Sequence, residues 1–198
     1  MPPSPTRPAL RARYDRRREE IVSAAARILA RRGYDQTSVP DLAEAIGVST
    51  GSLYHYFASK EELLVAICDQ LLEPLLETSL ARGRGDLRGL IRLWVEHVVE
   101  HRDHMLVFQQ ERHVIERGER WRAVRASRKR FERLVGDELA AVERAGALRH
   151  GDRRLALLAL LGMVNHTAQW YRPRGPLTAR EIADGYADLL LAPARGAR

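Results

Sequence analysis

Three stretches of the sequence carry side chains able to do chemistry. The first is His97-x-x-x-His101, with Glu100 and His104 beside it. Two imidazoles four apart share a helix face at metal-ligand spacing. No second strong ligand set accompanies them, so no metal is expected, and His97 or His104 is placed on a cavity wall or at the surface. The second stretch runs from Thr50 to Lys60. Thr50, Ser52, Tyr54, His55 and Tyr56 offer hydrogen-bond donors suited to bases and phosphates. Gly51 and Ser52 are small, which lets a helix N-terminus approach base edges closely. Lys60 adds a cation where the amides of a helix start can hold a phosphate. The third stretch is Asn165, His166, Thr167, Gln169 and Trp170, directly after the apolar run Leu155–Leu161. Polar groups late in an apolar helix are costly unless the protein or a ligand satisfies them. On a 3.6-residue period Met163, His166, Trp170 and Pro173 share one face, and Asn165 and Gln169 form another ridge. His166 and Trp170, one turn apart, have the spacing to grip one ligand. The alternatives are a polar cluster satisfied by protein alone, or Trp170 as an anchor for a second subunit.

Helices must position all three. Ile21, Ala24, Ala25, Ile28 and Leu29 repeat at helical spacing before Gly33, predicting a first helix over about 14–32. Residues 1–13, with four prolines and three arginines, are expected to form a disordered basic arm. Ser38-Val-Pro-Asp41 reads as a capping box, Gly47-Val48 as a tight turn, and Ser49 as the cap of a helix over about 50–56. Ser59-Lys-Glu-Glu62 is a second box opening a long helix toward Leu80, with Pro74 a possible bend. After an Arg82–Gly85 linker, helices are expected at about 86–101, 103–115, 118–145, 152–172 and 178–192. The last opens with the box Thr178-Ala-Arg-Glu181. No segment alternates like a strand, so the fold class is all-α. The expected domains are the arm 1–13, a helix-turn-helix unit over 14–58 and a helical unit over 59–198.

Composition bounds the function. The 198 residues are 45% hydrophobic, enough for one or two real cores. No apolar run approaches the roughly 18–20 residues that span a bilayer, and the N-terminus lacks an apolar signal core. A soluble, cytoplasmic protein without membrane contact is expected. The one cysteine, Cys68, excludes an internal disulfide and is expected to pack as a small hydrophobe. Net charge is +7, and residues 1–33 hold nine arginines against three carboxylates. That concentration suits a polyanion, nucleic acid first, or a solvated arginine-rich face. The run 112–133, dense in arginine and glutamate, reads as a solvated helix face. Nucleophile elbows, P-loops and dinucleotide fingerprints are absent, so no enzyme is expected.

Residues 37–64, TSVPDLAEAIGVSTGSLYHYFASKEELL, join two short helices through Gly47-Val48-Ser49, the shape of a helix-turn-helix. The Gly-Val-Ser turn, the Leu53-Tyr54-His55-Tyr56-Phe57 core and the Ser59-Lys60-Glu61 start resemble the N-terminal domain of TetR-family transcriptional regulators over about residues 15–70. The resemblance implies that Thr37 or Ser38 binds phosphate. It further implies that Thr50, Gly51, Ser52 and His55 face bases and that Tyr54, Tyr56 and Lys60 hold the DNA backbone. It also implies a homodimer on a palindromic double-stranded DNA operator, closed by its last two helices. There Leu155, Leu158, Ile182, Tyr186 and Leu189 sit at helical spacings fit for an intersubunit bundle.

Within that family, Asn165, the spaced Trp170, Tyr171-Arg172-Pro173-x-Gly175 and FQQERHVIERG at 108–118 resemble a subgroup. It senses CoA thioesters of lipid catabolism: KstR-type sterol-degradation repressors with FadR- and PaaR-type relatives. The implied small-molecule effector is an acyl-CoA or sterol-derived CoA thioester, with no other cofactor. Phe108, Met163 and Trp170 would meet its acyl end and Arg112, Arg172 and Arg174 its phosphates, with Asn165, His166 and Gln169 also placed at the effector site. The rival within the family is a drug-efflux repressor responding to a hydrophobic drug, which calls for an aromatic and acidic cavity.

Overall fold

The computed structural model describes residues 8–149 and 152–192. These form ten α-helices and one 3-10 turn. Among the described residues extended pairing is limited to one bridge between Leu148 and Leu191. The helices are α1 Pro8–Arg32, α2 Val39–Ile46, α3 Thr50–Tyr56, α4 Lys60–Ala81, α5 Leu87–Glu100, α6 Arg102–Gln110, α7 Arg112–Ile115, α8 Arg122–Arg144, α9 Arg153–Trp170 and α10 Ala179–Leu190, with the 3-10 turn at Glu119–Trp121 before α8.

Local chemistry sets most boundaries. Ser38 and Thr178 each close a reciprocal capping box, with Asp41 and Glu181. Ser49 caps α3 through the amide of Ser52. Ser59 caps α4 through the amide of Glu62, but the Glu62 carboxylate accepts from Ala58 instead of returning to Ser59. The expected second box is therefore open on one side. α4 runs through Pro74 without interruption.

Two expectations are corrected. α1 begins at Pro8, so the arm expected over 1–13 is helical from that point; residues 1–7 lie outside the described residues. The helix expected over 103–115 breaks at Glu111 into α6 and α7. Glu111 is buried, and its carboxylate accepts from the Tyr34 amide at 3.3 Å. A contact between distant parts of the chain holds this break, and nothing local announces it.

Two apolar cores share α4. Its N-terminal half packs with α1, α2 and α3 around Ile21, Leu29, Leu42, Leu53 and Phe57. Val107, Ile115, Trp121 and Val124, from α6 to α8, complete that core. The C-terminal half of α4 packs with α5, α6, α8, α9 and α10 around Trp94, Phe131, Leu160 and Val164. Cys68 is fully buried in the first core, and burial pushes its thiol pKa up. Three ion pairs clip α10 to α5, Arg92 to Asp184 at 2.6 Å, Arg88 to Asp188 at 2.5 Å and Arg88 to Asp184 at 3.6 Å. Among the described residues no helix is long and apolar enough to cross a membrane.

Candidate nucleic-acid interface and ligand cavity

α2 and α3 present a surface because their apolar residues turn inward. Leu42, Ala43, Leu53 and Phe57 are buried, which leaves Gly51, Tyr54 and His55 exposed and Thr50, Ser52 and Tyr56 half-buried. Gly47 makes the turn between the helices at φ 78°, where a side chain would be strained. Gly51 is different: a Cβ there would meet no protein atom within 4 Å. Glycine inside a helix costs about 1 kcal/mol against alanine. No protein packing demands it, so the space it keeps open faces outward.

Lys60 stands in the first turn of α4, its amine 3.9 Å from the centroid of the Tyr34 ring. Ser38 is exposed at the start of α2. Thr37 is not: it is 1% exposed and its hydroxyl donates to the Gly33 carbonyl at 2.8 Å. Of the two residues expected to bind phosphate, only Ser38 reaches the surface. The residue the sequence reading missed is Tyr14. Its ring stacks on Tyr56 at 4.8 Å and meets His55 edge-on at 5.8 Å. Arg13, Arg16 and Arg17 line the same groove, beside the end of α3. Their density was legible; their seat on an ordered helix was hidden by the prolines upstream.

The second site is an open cavity of about 610 Å³ between α6, α7, α8 and α9. Phe108, Leu158, Leu161 and Gly162 give it an apolar side; Arg112, Arg128 and Glu132 give it a charged one. Gln109, Asn165 and His166 also line it. Four of the expected ligand residues thus meet: Phe108, Arg112, Asn165 and His166. Five do not line this cavity. Met163 packs against the larger core, and Arg172 and Arg174 are exposed beyond the helix end. Gln169 donates to the Gln109 side chain, whose amide donates in turn to the Asn165 carbonyl, both at 2.8 Å. Trp170, the last residue of α9, is 44% exposed. Part of the polar stretch is therefore satisfied by protein, part opens onto the cavity, and His166 and Trp170 do not both line it.

Arg128 and Glu132 were missed because they sit in a run of like-spaced charges. Nothing local separates Arg128 from Arg125 or Lys129. The fold does: the Arg128 side chain is 19% exposed, and its Nη1 donates to Glu116 Oε1 at 2.6 Å. The Arg112 Nε lies 3.5 Å from the same oxygen. The Arg128 hydrogen bond, aided by the charges of Arg128 and Arg112, holds the Glu116 carboxyl below the usual carboxylate range.

The histidines lie elsewhere. His104 is buried and its Nε2 contacts Gln70 Oε1 at 3.0 Å. His97 Nε2 contacts the Leu71 carbonyl at 2.7 Å, and the His97 and His101 rings stack at 4.2 Å. They belong to the joint between α4, α5 and α6; neither His97 nor His104 lines the cavity. Burial, then the neighbouring His101, His97 and Arg27 charges, depresses His104 to about 4.

On the exposed side of α9, Leu155 and Leu158 are 63% and 56% exposed, and Leu189 of α10 is 60% exposed. Such exposed apolar side chains are what an intersubunit bundle would need, though Leu158 also lines the cavity. Ile182 and Tyr186 are not among them. Ile182 is buried in the larger core, and the Tyr186 hydroxyl bonds Thr167 at 3.0 Å.

Comparison with known proteins bears on both sites. A family model described as bacterial regulatory proteins, tetR family, matches residues 21–67. A second, described as tetracyclin repressor-like, C-terminal domain, matches residues 82–193. The HTH-type transcriptional repressor KstR2 of Mycobacterium tuberculosis is 31% identical over 186 residues, covering 88% of this chain and 91% of the relative. The solved structure of that organism's KstR2, a ketosteroid transcriptional regulator, superposes with a TM-score of 0.76 at 29% identity, over 89% of this chain and 96% of the other. The crystal structure of AibR in complex with isovaleryl coenzyme A and operator DNA gives a TM-score of 0.77 at 28% identity, over 89% and 99% of the two chains.

Proposed function

The chain belongs to the TetR family of bacterial regulatory proteins, whose members are transcriptional regulators and not enzymes, and on that premise we propose a repressor released from its operator by a CoA thioester of lipid or sterol catabolism. It binds double-stranded DNA through α2 and α3, with Thr50, Gly51, Ser52 and His55 at base edges. Ser38, Tyr54, Tyr56 and Lys60 hold phosphates. Two copies, joined across α9 and α10, set two recognition helices one helical turn of DNA apart.

The observation that carries the effector reading is the two-sided cavity. A CoA thioester has an apolar acyl end and an anionic phosphate end. Phe108, Leu158 and Leu161 suit the first; the Arg112 and Arg128 guanidiniums suit the second. The similarity to KstR2 and to AibR, which was crystallised with a CoA thioester and operator DNA, supports the same class. A cavity for cationic hydrophobic drugs would be aromatic and acidic. This one has one aromatic residue, one carboxylate and two arginines, which favours the thioester.

Release needs only that the effector prefer a conformation in which the two recognition helices no longer match successive grooves. A coupling of about 1–3 kcal/mol is typical. The test begins with an electrophoretic shift on the DNA upstream of the protein's own gene, expected to show a retarded complex. Native mass spectrometry of the purified dimer then reads the mass of any co-purified ligand. A CoA-sized adduct supports the reading; a ligand lacking the CoA moiety that also frees the DNA overturns it.

A further inference from the structure

The charged wall of the cavity is already partly neutralised: Arg128 Nε lies 3.4 Å from Glu132, which lines the cavity, and a second carboxylate behind the lining meets both arginines. Glu116 lies just after α7, and one of its oxygens faces both cavity arginines, Arg128 at 2.6 Å and Arg112 at 3.5 Å. A carboxylate in that position does what a ligand phosphate would do there. A carboxylate is planar and a phosphate tetrahedral, yet each offers a pair of anionic oxygens that a guanidinium can engage.

The segment that carries Glu116 also braces the DNA-binding helices. At its start, Glu111 accepts from the Tyr34 amide, and the Tyr34 ring lies under the Lys60 amine. At its end, the Trp121 indole donates to Glu61 at 3.1 Å, and Arg120 donates to the Ser59 hydroxyl at 3.2 Å. Ser59 is the cap of α4 and Lys60 its first residue. Eleven residues of chain, from Glu111 to Trp121, thus connect the cavity wall to the start of the helix expected to hold operator phosphate. Arg125 ties the middle of the segment by donating to the Ile115 and Gly118 carbonyls at 3.1 and 2.9 Å.

We propose that Glu116 is a built-in competitor for the effector's anionic end: a phosphate entering the cavity takes Arg112 and Arg128 from Glu116, and loss of that pairing loosens the brace on Tyr34, Ser59 and Glu61. The proposal deepens the thioester reading and rests on it for the identity of the phosphate bearer. Effector binding and operator binding then oppose each other through one carboxylate. Occupying the arginines disfavours the brace, and by reciprocal linkage operator binding weakens effector binding by the same factor.

The experiment is calorimetric titration of the dimer, wild type and Glu116→Gln, with two probes. One is isovaleryl-CoA; the other is adenosine 3′,5′-bisphosphate, which carries phosphates and no acyl group. Glu119→Gln is the control, since Glu119 pairs with Arg122 on the exposed surface of the same segment. Glu116→Gln should bind both probes about fivefold tighter than wild type, the size of a partly exposed ion pair. It should bind operator about fivefold more weakly without effector. Glu119→Gln should change neither. Equal probe affinities in Glu116→Gln and wild type would overturn the competition while leaving the thioester reading intact. Tighter probe binding with unchanged operator affinity would overturn the brace. If wild type ignores isovaleryl-CoA but Glu116→Gln gains affinity for the bisphosphate, the competition stands and isovaleryl-CoA is not the effector. If neither probe binds either protein, the competition fails.

Discussion

At the scale of single residues, exposure separates side chains that the sequence could only group. The helical period put His166 and Trp170 on one face of α9, and that grouping was right. Periodicity does not say what a face looks at. His166 reaches the cavity, while Trp170 ends the helix 44% exposed. The consequence is measurable. Trp94, 2% exposed and edge-on to Phe131 at 4.8 Å, is a true core residue. Trp94→Ala should cost about 3–5 kcal/mol in chemical unfolding. Trp170→Ala should cost under about 1.5 kcal/mol, because half its surface is already wet. Equal losses would place Trp170 in the core. Lys60 carries the other residue-scale expectation. Lys60→Ala should weaken operator binding and flatten the logarithmic salt dependence by about 0.9 per removed phosphate contact. A variant that binds like wild type from low to high salt would remove Lys60 from the DNA interface.

At the scale of elements, the helices whose ends are written in local chemistry were legible. α2, α3 and α10 start where Ser38, Ser49 and Thr178 said they would. What remained hidden was decided by contacts across the fold: the break between α6 and α7 at Glu111, and the ordered start of α1 beside Tyr56. The two sides of the α9–α10 pair show the same limit. Leu158, Leu189 and Ile182 are equally apolar and equally spaced, yet only the first two face outward. Leu158→Glu or Leu189→Glu should therefore give folded monomers with little operator affinity, read by sedimentation and circular dichroism. Ile182→Glu should unfold the protomer instead, since it buries an unpaired charge. A folded, dimeric Ile182→Glu protein would contradict this division.

The joint between α4, α5 and α6 has its own signature in pH. His104 titrates near 4 in the fold against about 6.5 unfolded. The unfolded chain therefore binds the proton first as pH falls. Stability is full above about 6.5 and declines from there toward 4. The loss is at most on the order of 3 kcal/mol from this group. His97, also depressed by burial, acts in the same direction. The carboxyls held low by partners, Glu116, Asp184 and Glu181 among them, work in the opposite direction of charge. Their stabilisation is full above the unfolded carboxylate range and is lost as pH falls from there through their depressed folded values. Denaturant unfolding from pH 7 to pH 5 should show the histidine contribution, opposed by the Asp69 carboxyl that burial pushes up, and His104→Gln should flatten it. An unchanged slope in that variant would place the titration elsewhere.

At the scale of the whole molecule, α4 belongs to both cores, and segment 111–121 contributes Ile115 and Trp121 to the smaller one. The expected division at residue 58 falls between α3 and α4, where the sequence changes motif. Packing does not change there, because the helix-turn-helix unit is completed by residues from beyond it. On the proposed reading, this continuity would carry the effect of a ligand in the cavity to the DNA-binding helices without a separate hinge. The claim that matters most is therefore that a CoA thioester, bound at the Arg112 and Arg128 wall, lowers operator affinity. The direct measurement is fluorescence anisotropy of labelled operator DNA held by the dimer, titrated with fatty acyl, phenylacetyl and sterol-ring-derived CoA thioesters, and with the corresponding free acids. At least one thioester is expected to release the DNA from wild type, with its free acid inactive, and Arg128→Ala is expected to keep operator binding but need far more thioester for release. Release by a free acid or a hydrophobic drug, with every thioester inert, would contradict the account.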